Sequence, residues 1–190
     1  KLIDPSLFVN KDVKPAQQIN YTPEHTFSDF GFDERLERNI KARGYETPTQ
    51  IQDAAIKPVM ERRDLLGLAN TGTGKTAAFI LPVINHLLKT DGKNDVLIVT
   101  PTRELAAQIE DDFRAFTKNI KLHSALCVGG TNINPQIKAL AKEPHVVIGT
   151  PGRLKDLYEQ DKLDLDFTDT LILDEADRML DMGFYKDVSF

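Results

Sequence analysis

The sequence lacks the signatures of secreted and membrane-bound proteins. It has one cysteine, Cys127, which has no second thiol to pair with and lies in an apolar run typical of a buried core. The longest apolar run, 77–81, is much shorter than the roughly 18 apolar residues that a membrane-spanning helix requires. The start of the chain shows no secretory signal pattern. These absences exclude an internal disulfide framework and predict an intracellular, cytoplasmic protein that makes no contact with a membrane.

The sequence also lacks a surplus of positive charge. Its 24 lysines and arginines are outnumbered by 29 aspartates and glutamates, which gives a formal net charge of −5. This balance argues against a protein that binds nucleic acid through its overall charge, so any nucleic-acid site must be local. The four histidines show no metal-ligand spacing with each other or with Cys127. We therefore predict no metal site built by protein ligands alone.

What is present is the composition of a folded globular domain, with 41% hydrophobic and 28% charged residues. Residues 1–26 are polar, contain three prolines and show no sustained period, so we predict an extension or linker there. Residues 27–190 are predicted to form one compact domain. Because Lys1 is not a translation start and Phe190 lies inside a patterned segment, we expect the chain to be a piece of a longer protein.

Short apolar runs alternate with amphipathic segments along the predicted domain. Five of these runs predict strands, at 65–69, 96–100, 123–128, 146–149 and 171–173. Helices are predicted from Asp33 to Gly44, at 49–61 and at 103–116. A further helix is predicted to begin at the end of the 69–76 segment and to continue toward residue 88. Apolar strands alternating with such helices predict an α/β fold, in which a parallel β-sheet is covered by helices on both faces. Ligands of such sheets bind at the carboxyl ends of the strands.

A glycine-rich loop at 69–76, Ala-Asn-Thr-Gly-Thr-Gly-Lys-Thr, follows the first predicted strand. Backbone N–H groups of such a loop and the next helix N-terminus bind phosphate. Lys75 is predicted to contact the β- and γ-phosphates and the Thr76 hydroxyl to bind Mg²⁺. The predicted nucleotide-binding residues of the loop are Thr71, Gly72, Thr73, Gly74, Lys75 and Thr76. The alternative is a plain glycine-rich turn between a strand and a helix.

Four residues with three carboxylates, Asp174-Glu175-Ala176-Asp177, follow the last predicted strand. A carboxylate at a strand end beside a phosphate loop is placed to hold Mg²⁺, a role that we predict for Asp174. Its neighbour Glu175 is predicted to orient or deprotonate an attacking water molecule. With Lys75, these two residues are the predicted catalytic groups. The alternative is a solvated acidic turn.

Together these motifs resemble the DEAD-box RNA helicases over residues 27–190. Residues 174–177 spell the name of that family, and Ala69 is the residue with which its phosphate loop usually starts. The resemblance implies a RecA-like P-loop domain that binds ATP, Mg²⁺ and RNA. It also implies a second RecA-like domain in cis that carries an arginine finger and lies beyond Phe190. By the same resemblance, Asp177 is expected to couple the two domains.

Residues 44–52 look like the Q motif, which reads adenine in that family. Gln52 is expected to pair with adenine N6 and N7, and Tyr45 to stack on the base. Phe27, seventeen positions before Gly44, matches the family's upstream aromatic residue. Thr47 completes the predicted adenine-side residues. The alternative for this group is helix capping and core packing.

Three segments that follow strands resemble the RNA-contacting loops of the family. The predicted RNA-binding residues are Pro101, Thr102, Arg103, Gly129, Gly130, Thr150, Gly152 and Arg153. Hydroxyls, arginines and glycine amides bind a sugar-phosphate backbone without reading bases, so we expect sequence-independent binding. The alternative makes Thr102 and Thr150 helix caps and the two arginines solvated first-turn residues. The methionines and leucine of 178–184 are expected to pack a helix.

The function expected from this resemblance is RNA-dependent ATP hydrolysis coupled to RNA unwinding or remodelling. Two alternatives stay open at this point: a DNA-directed translocase of the same superfamily, and an RNA clamp whose ATP turnover is incidental. Without a second domain, the chain alone is expected to hydrolyse ATP hardly at all. One edge of its sheet is expected to be exposed, because the strand with the family's Ser-Ala-Thr motif would lie further on.

Overall fold

The sheet has four strands within residues 21–70, 72–90 and 95–188, which are the residues that the computed structural model describes. The strands are β1 Asp95–Val99, β2 Ser124–Cys127, β3 Val146–Gly149 and β4 Thr168–Leu173. Their order across the sheet is β2-β3-β1-β4, and every neighbouring pair is parallel. The predicted α/β fold with a parallel sheet is confirmed. Most of the predicted extension, residues 1–20, lies outside the described residues.

Helices connect the strands and cover both faces of the sheet. Their bounds are α1 Glu34–Ala42, α2 Gln50–Met60, α3 Lys75–Lys89, α4 Arg103–Phe116, α5 Ile133–Leu140, α6 Pro151–Glu159, α7 Ala176–Asp181 and α8 Tyr185–Val188. A short 3₁₀ turn, Phe27–Phe30, precedes them. The predicted helices are confirmed, including the cap by Asp33, whose side chain accepts a hydrogen bond from the Arg35 N–H. None of the described helices is long and apolar enough to cross a membrane.

The alternation of side chains along the strands produces two hydrophobic cores. Val96, Ile98, Val146 and Ile148 face a core that also contains apolar residues of α1, α3 and α4. The residues of β1 and β3 that point to the opposite face, together with the buried residues of β2, pack against Leu154 and Leu157 of α6 and Met179 of α7. All four residues of β3 are buried because strands flank it and helices cover both its faces.

Cys127 is fully buried in the second core, as predicted. Burial raises the pKa of its thiol to about 12, although the charge of Arg153 opposes this shift. The thiol is therefore protonated at neutral pH and acts as a small apolar core residue.

The predicted strand at 65–69 is wrong: the structure shows no strand pairing there, and Leu66 and Leu68 are each 88% exposed. A cavity of about 370 Å³ separates this segment from β4, and both line it. A strand forms only when its N–H and C=O groups pair with a neighbour, and here the apolar pattern has no neighbour among the described residues. Arg62, which also lines the cavity, donates to Thr170 Oγ1 and Asp169 Oδ2 of β4 at 3.0 and 3.1 Å.

One edge of β4 pairs with β1, and the other edge, which faces this cavity, has no partner strand among the described residues, so the expected exposed sheet edge is confirmed. Leu171 and Leu173 on this edge are 58% and 40% exposed. The packing expected of residues 178–184 is confirmed for Met179, which is 2% exposed. It is wrong for Leu180 and Met182, which are at least half exposed because α7 touches the domain along one face only.

Candidate functional site

The segments that follow the four strands meet at one edge of the sheet. Backbone hydrogen bonds extend the parallel ladders past the strand ends, from Thr100 N to Gly149 O, from Thr150 N to Cys127 O, and from Asp174 N to Val99 O. Their lengths are 2.9, 3.1 and 3.0 Å. Loops that are distant in sequence therefore lie side by side, as the parallel topology predicts.

The glycine-rich loop folds back on itself before α3 begins. Lys75 Nζ donates to Ala69 O at 2.9 Å, and Thr73 Oγ1 donates to Asn70 O at 2.7 Å. Gly74 is the N-cap of α3, with a φ of +85° that favours glycine. Thr76 is half-buried in the first turn of this 15-residue helix. Gly72 is exposed, and Thr71 lies outside the described residues. The loop thus lies at a helix N-terminus, where phosphate binds well.

Gln52 ties the start of α2 to this loop. Its Oε1 accepts from Thr49 N at 2.9 Å, and its Nε2 donates to Gly74 O at 3.1 Å. Thr49 Oγ1 adds a bond to Thr73 O at 2.8 Å. A Cβ at position 74 would lie 2.4 Å from Gln52 Nε2, so glycine is required for the close approach. The helix-capping alternative thus describes Gln52 correctly, and its adenine contact stays a prediction.

The aromatic residues predicted for the adenine side lie in layers. Phe27 is 4% exposed, and its ring packs edge-on against Tyr45 with centroids 5.8 Å apart. Tyr45 is half-buried and packs edge-on against Phe116 at 5.4 Å. Burial raises the pKa of Tyr45. The core-packing alternative therefore describes Phe27, which lies behind Tyr45, whereas Thr47 is exposed.

A buried carboxylate next to Gln52 was not predicted. Asp53 is 7% exposed and accepts hydrogen bonds from the Tyr21 hydroxyl, from Glu24 N at 2.7 Å and from His25 Nδ1 at 2.6 Å. Burial alone would raise the pKa of Asp53, but these bonds outweigh it and lower the pKa. The hydrogen bond to Asp53 is also the main reason why the pKa of Tyr21 is raised to about 12. Residues 21–25, predicted as part of the extension, are thus held against α2 by hydrogen bonds.

The acidic residues after β4 differ in their surroundings. Asp174 is 9% exposed, lines the same cavity as Lys75, and accepts from Glu175 N at 3.0 Å. Burial raises the pKa of Asp174, while the positive charge of Lys75 opposes the rise. Glu175 has a φ of +52°, unusual outside glycine, and its Oε2 accepts from Arg178 at 3.1 Å. Of the three carboxylates only Asp177 is exposed, so a solvated turn does not describe Asp174.

The predicted RNA-binding residues are brought together at the same edge. Arg103 Nη1 donates to Gly129 O at 3.2 Å, and Arg153 Nη2 donates to Thr131 O at 3.2 Å. Thr102 caps α4 by accepting from Leu105 N, and Thr150 precedes α6 without a side-chain cap bond. The capping alternative is therefore confirmed for Thr102 only. Pro101 is buried, and Gly152 is exposed.

Arg153 is not a solvated residue of the first turn. Its side chain is 12% exposed, and its buried Nη1 has no hydrogen-bond partner among the described residues. Its Nε lies 3.6 Å from the Asp156 carboxylate. A buried guanidinium nitrogen without a partner is costly in water-poor surroundings, so this arginine is suited to an anionic ligand.

A second missed residue, Gln136 of α5, is 7% exposed and contacts the loop after β2. Its amide bonds to both backbone groups of Val128 and to Thr131 Oγ1. In the sequence Gln136 is one glutamine within a short helix, and the apolar pattern gives no reason to select it.

Comparison with known proteins finds a matching family and similar relatives. The family model described as DEAD/DEAH box helicase matches residues 49–190. The chain is 44% identical over 177 residues to "ATP-dependent rRNA helicase rrp-3" of Neurospora crassa, covering 93% of this chain and 34% of the relative. It is 44% identical over 167 residues to "ATP-dependent RNA helicase SrmB" of Escherichia coli, covering 86% and 38%. It is 46% identical over 164 residues to "Probable ATP-dependent RNA helicase DDX47" of Homo sapiens, covering 86% and 36%.

The chain thus spans about a third of the length of these relatives. The family model covers the start of α2, the phosphate loop, the strand-end loops and the acidic motif. The family resemblance predicted from those motifs is confirmed. By the extent of the match and by these identities, the chain belongs to the DEAD/DEAH box helicase family.

Proposed function

We propose that this chain is the ATP-binding and RNA-binding first domain of an ATP-dependent RNA helicase. The relatives bear the names of such enzymes. The observation that carries the proposal is the convergence of Gln52, Lys75 and Asp174: Gln52 holds the phosphate loop, and the other two line one cavity. A second RecA-like domain in cis would complete the site.

ATP would bind with its phosphates on the loop. Backbone N–H groups of residues 72–74 would donate to phosphate oxygens, and Lys75 would exchange its bond to Ala69 O for the β- and γ-phosphates. On the adenine side, Gln52 retains one amide hydrogen and one lone pair for the base. Tyr45 offers its half-exposed ring, supported from behind by Phe27. Thr47 lies exposed in the same motif.

The donor set fits Mg²⁺. The Thr76 hydroxyl and the Asp174 carboxylate are oxygen ligands, and Mg²⁺ binds through one or two carboxylates together with phosphates and water. The bound ion neutralises negative charge on the phosphates. Asp174 must be ionised for this role. The nearby Lys75 favours that form, whereas burial disfavours it.

Glu175 is the proposed base in hydrolysis. A water molecule attacks the γ-phosphorus in line with the bond to the leaving oxygen, and Glu175 orients it and accepts its proton. Arg178 binds Oε2 of the Glu175 carboxylate at 3.1 Å, which leaves Oε1 as the oxygen proposed to accept from the water. Asp177, exposed two positions further along the chain, is the residue proposed to couple this site to the second domain.

RNA would lie across the loops at the strand ends. Arg103, Arg153 and Thr150, with the exposed glycines 130 and 152, present positive charge and donors to a sugar-phosphate backbone. Gly129, Pro101 and Thr102 shape the loops beside them. This composition favours contacts to the backbone over contacts to base edges. We also propose a cytoplasmic location.

Strand separation by the full-length protein tests this function. A short RNA duplex with a single-stranded overhang should separate when ATP and Mg²⁺ are both present, and should remain paired when either is omitted. The same sequence made as DNA is the control. If ATP leaves the RNA duplex paired while RNA is merely retained, the clamp alternative is correct. If the DNA duplex separates equally well, the DNA-translocase alternative is correct.

A further inference from the structure

The loop after β2, residues 128–132, is held by side chains from three helices. Gln136 reaches it from α5, Arg103 from α4 and Arg153 from α6. The two arginines were predicted to contact RNA, yet both donate to backbone oxygens of this one loop. The loop also carries Gly129 and Gly130. Its conformation therefore depends on residues that are distant in sequence.

Gln136 makes the innermost of these contacts. Its Oε1 accepts from Val128 N at 3.2 Å, and its Nε2 donates to Val128 O at 3.0 Å and to Thr131 Oγ1 at 2.8 Å. A third contact of Nε2, to Asn132 O, is longer at 3.3 Å. Val128 is buried, so its backbone groups would be costly to leave unpaired. The amide of Gln136 replaces the neighbouring strand that would otherwise pair with them.

The fixed loop leaves donors of the glycine pair available. Within the described ranges, the N–H groups of Gly129 and Gly130 donate to no protein acceptor, and Gly130 is exposed. Gly130 has a φ of +73°, and a Cβ there would lie 2.0 Å from Arg103 Nη1. The loop is thus a tight turn closed against an arginine, with two amide donors beside a positive charge. Such a pairing suits a phosphate oxygen.

We propose that Gln136 is a positioning residue for RNA binding: it holds the turn in which the N–H groups of Gly129 and Gly130 donate to an RNA phosphate. This inference rests on the proposed function. Gln136 itself is buried and does not touch RNA. Its effect is therefore confined to the geometry of the turn. Nucleotide binding at the far end of the same edge does not depend on it.

The test is Gln136→Met in the full-length protein, because methionine keeps the length of the side chain and removes every amide bond. We expect the dissociation constant for single-stranded RNA to rise roughly tenfold, since several buried hydrogen bonds are lost. The dissociation constant for ATP, measured without RNA, should stay within about twofold of the original. Gln108→Met is the matched control, because Gln108 is an exposed glutamine of α4. It should change neither constant.

Three results would overturn the inference. The first is unchanged RNA affinity in Gln136→Met. The second is a parallel loss of RNA and ATP affinity, which shows a general loosening of the domain. The third is no RNA binding by the original protein, which overturns the proposed function as well and is distinguishable from the first two. If Gln136→Met does not fold, Gln136→Asn gives the same comparison, because the shortened amide cannot reach both backbone groups of Val128.

Discussion

The nucleotide-facing and RNA-facing parts of the strand-end edge are built differently. On the nucleotide side, the groups proposed to act on ATP bind protein partners: Lys75 binds Ala69 O, Gln52 binds Gly74 O and Glu175 binds Arg178. On the RNA side, Gln136 and two arginines hold a loop whose glycine donors are free within the described residues. The first part must exchange contacts when its ligand binds, whereas the second is formed in advance. Changes on the first side should alter the binding or turnover of ATP, and changes on the second should alter the affinity for RNA.

Of the substitutions that test this difference, Glu175→Gln should have the largest effect. Glutamine keeps the size of the side chain and its bond to Arg178 but cannot accept the proton. ATP hydrolysis by the full-length protein should fall by roughly 100-fold or more, while the affinities for ATP and RNA stay nearly unchanged. Glu159→Gln, an exposed position at the end of α6, is the control. A normal rate in Glu175→Gln would remove Glu175 from the role of base.

Lys75→Ala should weaken ATP binding by roughly 10- to 100-fold, the cost of a charge-assisted hydrogen bond. AMP affinity should change little, because Lys75 is proposed to contact only the β- and γ-phosphates. RNA affinity measured without nucleotide should not change. Calorimetric titration of both nucleotides checks this, with Lys89→Ala at the other end of α3 as control. Equal losses for ATP and AMP would place Lys75 elsewhere.

Gln52→Ala should weaken ATP binding roughly tenfold more than GTP binding, since the lost amide presents both a donor and an acceptor to adenine. A small loss common to both nucleotides is expected from the missing bond to Gly74. The control is Gln50→Ala, an exposed change at the start of the same helix. If both nucleotides lose affinity equally, Gln52 only supports the loop.

Arg103→Ala and Arg153→Ala should each weaken RNA binding by up to about tenfold, by a similar factor for every RNA sequence. Each change should also reduce the steepness with which the logarithm of RNA affinity falls with the logarithm of salt concentration, by about one unit of slope. Arg114→Ala, at the opposite end of α4 from Arg103, is the matched control. An effect limited to particular base sequences would show that these arginines read bases.

The smallest effect is expected of Asp53→Asn, which should cost about 1–2 kcal/mol of folding stability because charged hydrogen bonds are lost. The folded state lowers the pKa of Asp53. Its stabilising effect is therefore present above the unfolded pKa of about 4, and it is lost as the pH falls through the lowered value. Thermal melts from neutral to acid pH should show a weaker pH dependence in Asp53→Asn than in Asp111→Asn, an exposed control. Identical dependence of thermal stability on pH in the two variants would contradict a stabilising role for the ionised Asp53 carboxylate.

The sequence predicted elements best where burial is symmetric. β3 was predicted with its observed bounds because a strand covered on both faces is a continuous apolar run. The 65–69 run has the same character, but pairing with a neighbour is not encoded in apolar character, so that prediction was wrong. Exposed Leu66 and Leu68 show the difference.

The candidate site divides in a similar way. Lys75 and Asp174 could be selected from the sequence, because a lysine at the end of a glycine-rich loop and a carboxylate directly after a strand each indicate phosphate chemistry. Gln136 and Asp53 could not, because their partners are backbone groups or lie as many as 32 positions away in the sequence. The surroundings of Phe27 could not be predicted either, because an isolated aromatic residue does not reveal whether its ring faces a ligand or another ring.

The most direct test of the account is ATP hydrolysis by the full-length protein with and without single-stranded RNA. We predict that RNA of any sequence increases the rate, that DNA of the same sequence does not, and that residues 1–190 alone hydrolyse ATP hardly at all because an arginine finger is worth roughly 10³- to 10⁵-fold in turnover. A rate of hydrolysis by the full-length protein that is indifferent to RNA would contradict the proposed coupling between the two parts of the strand-end edge.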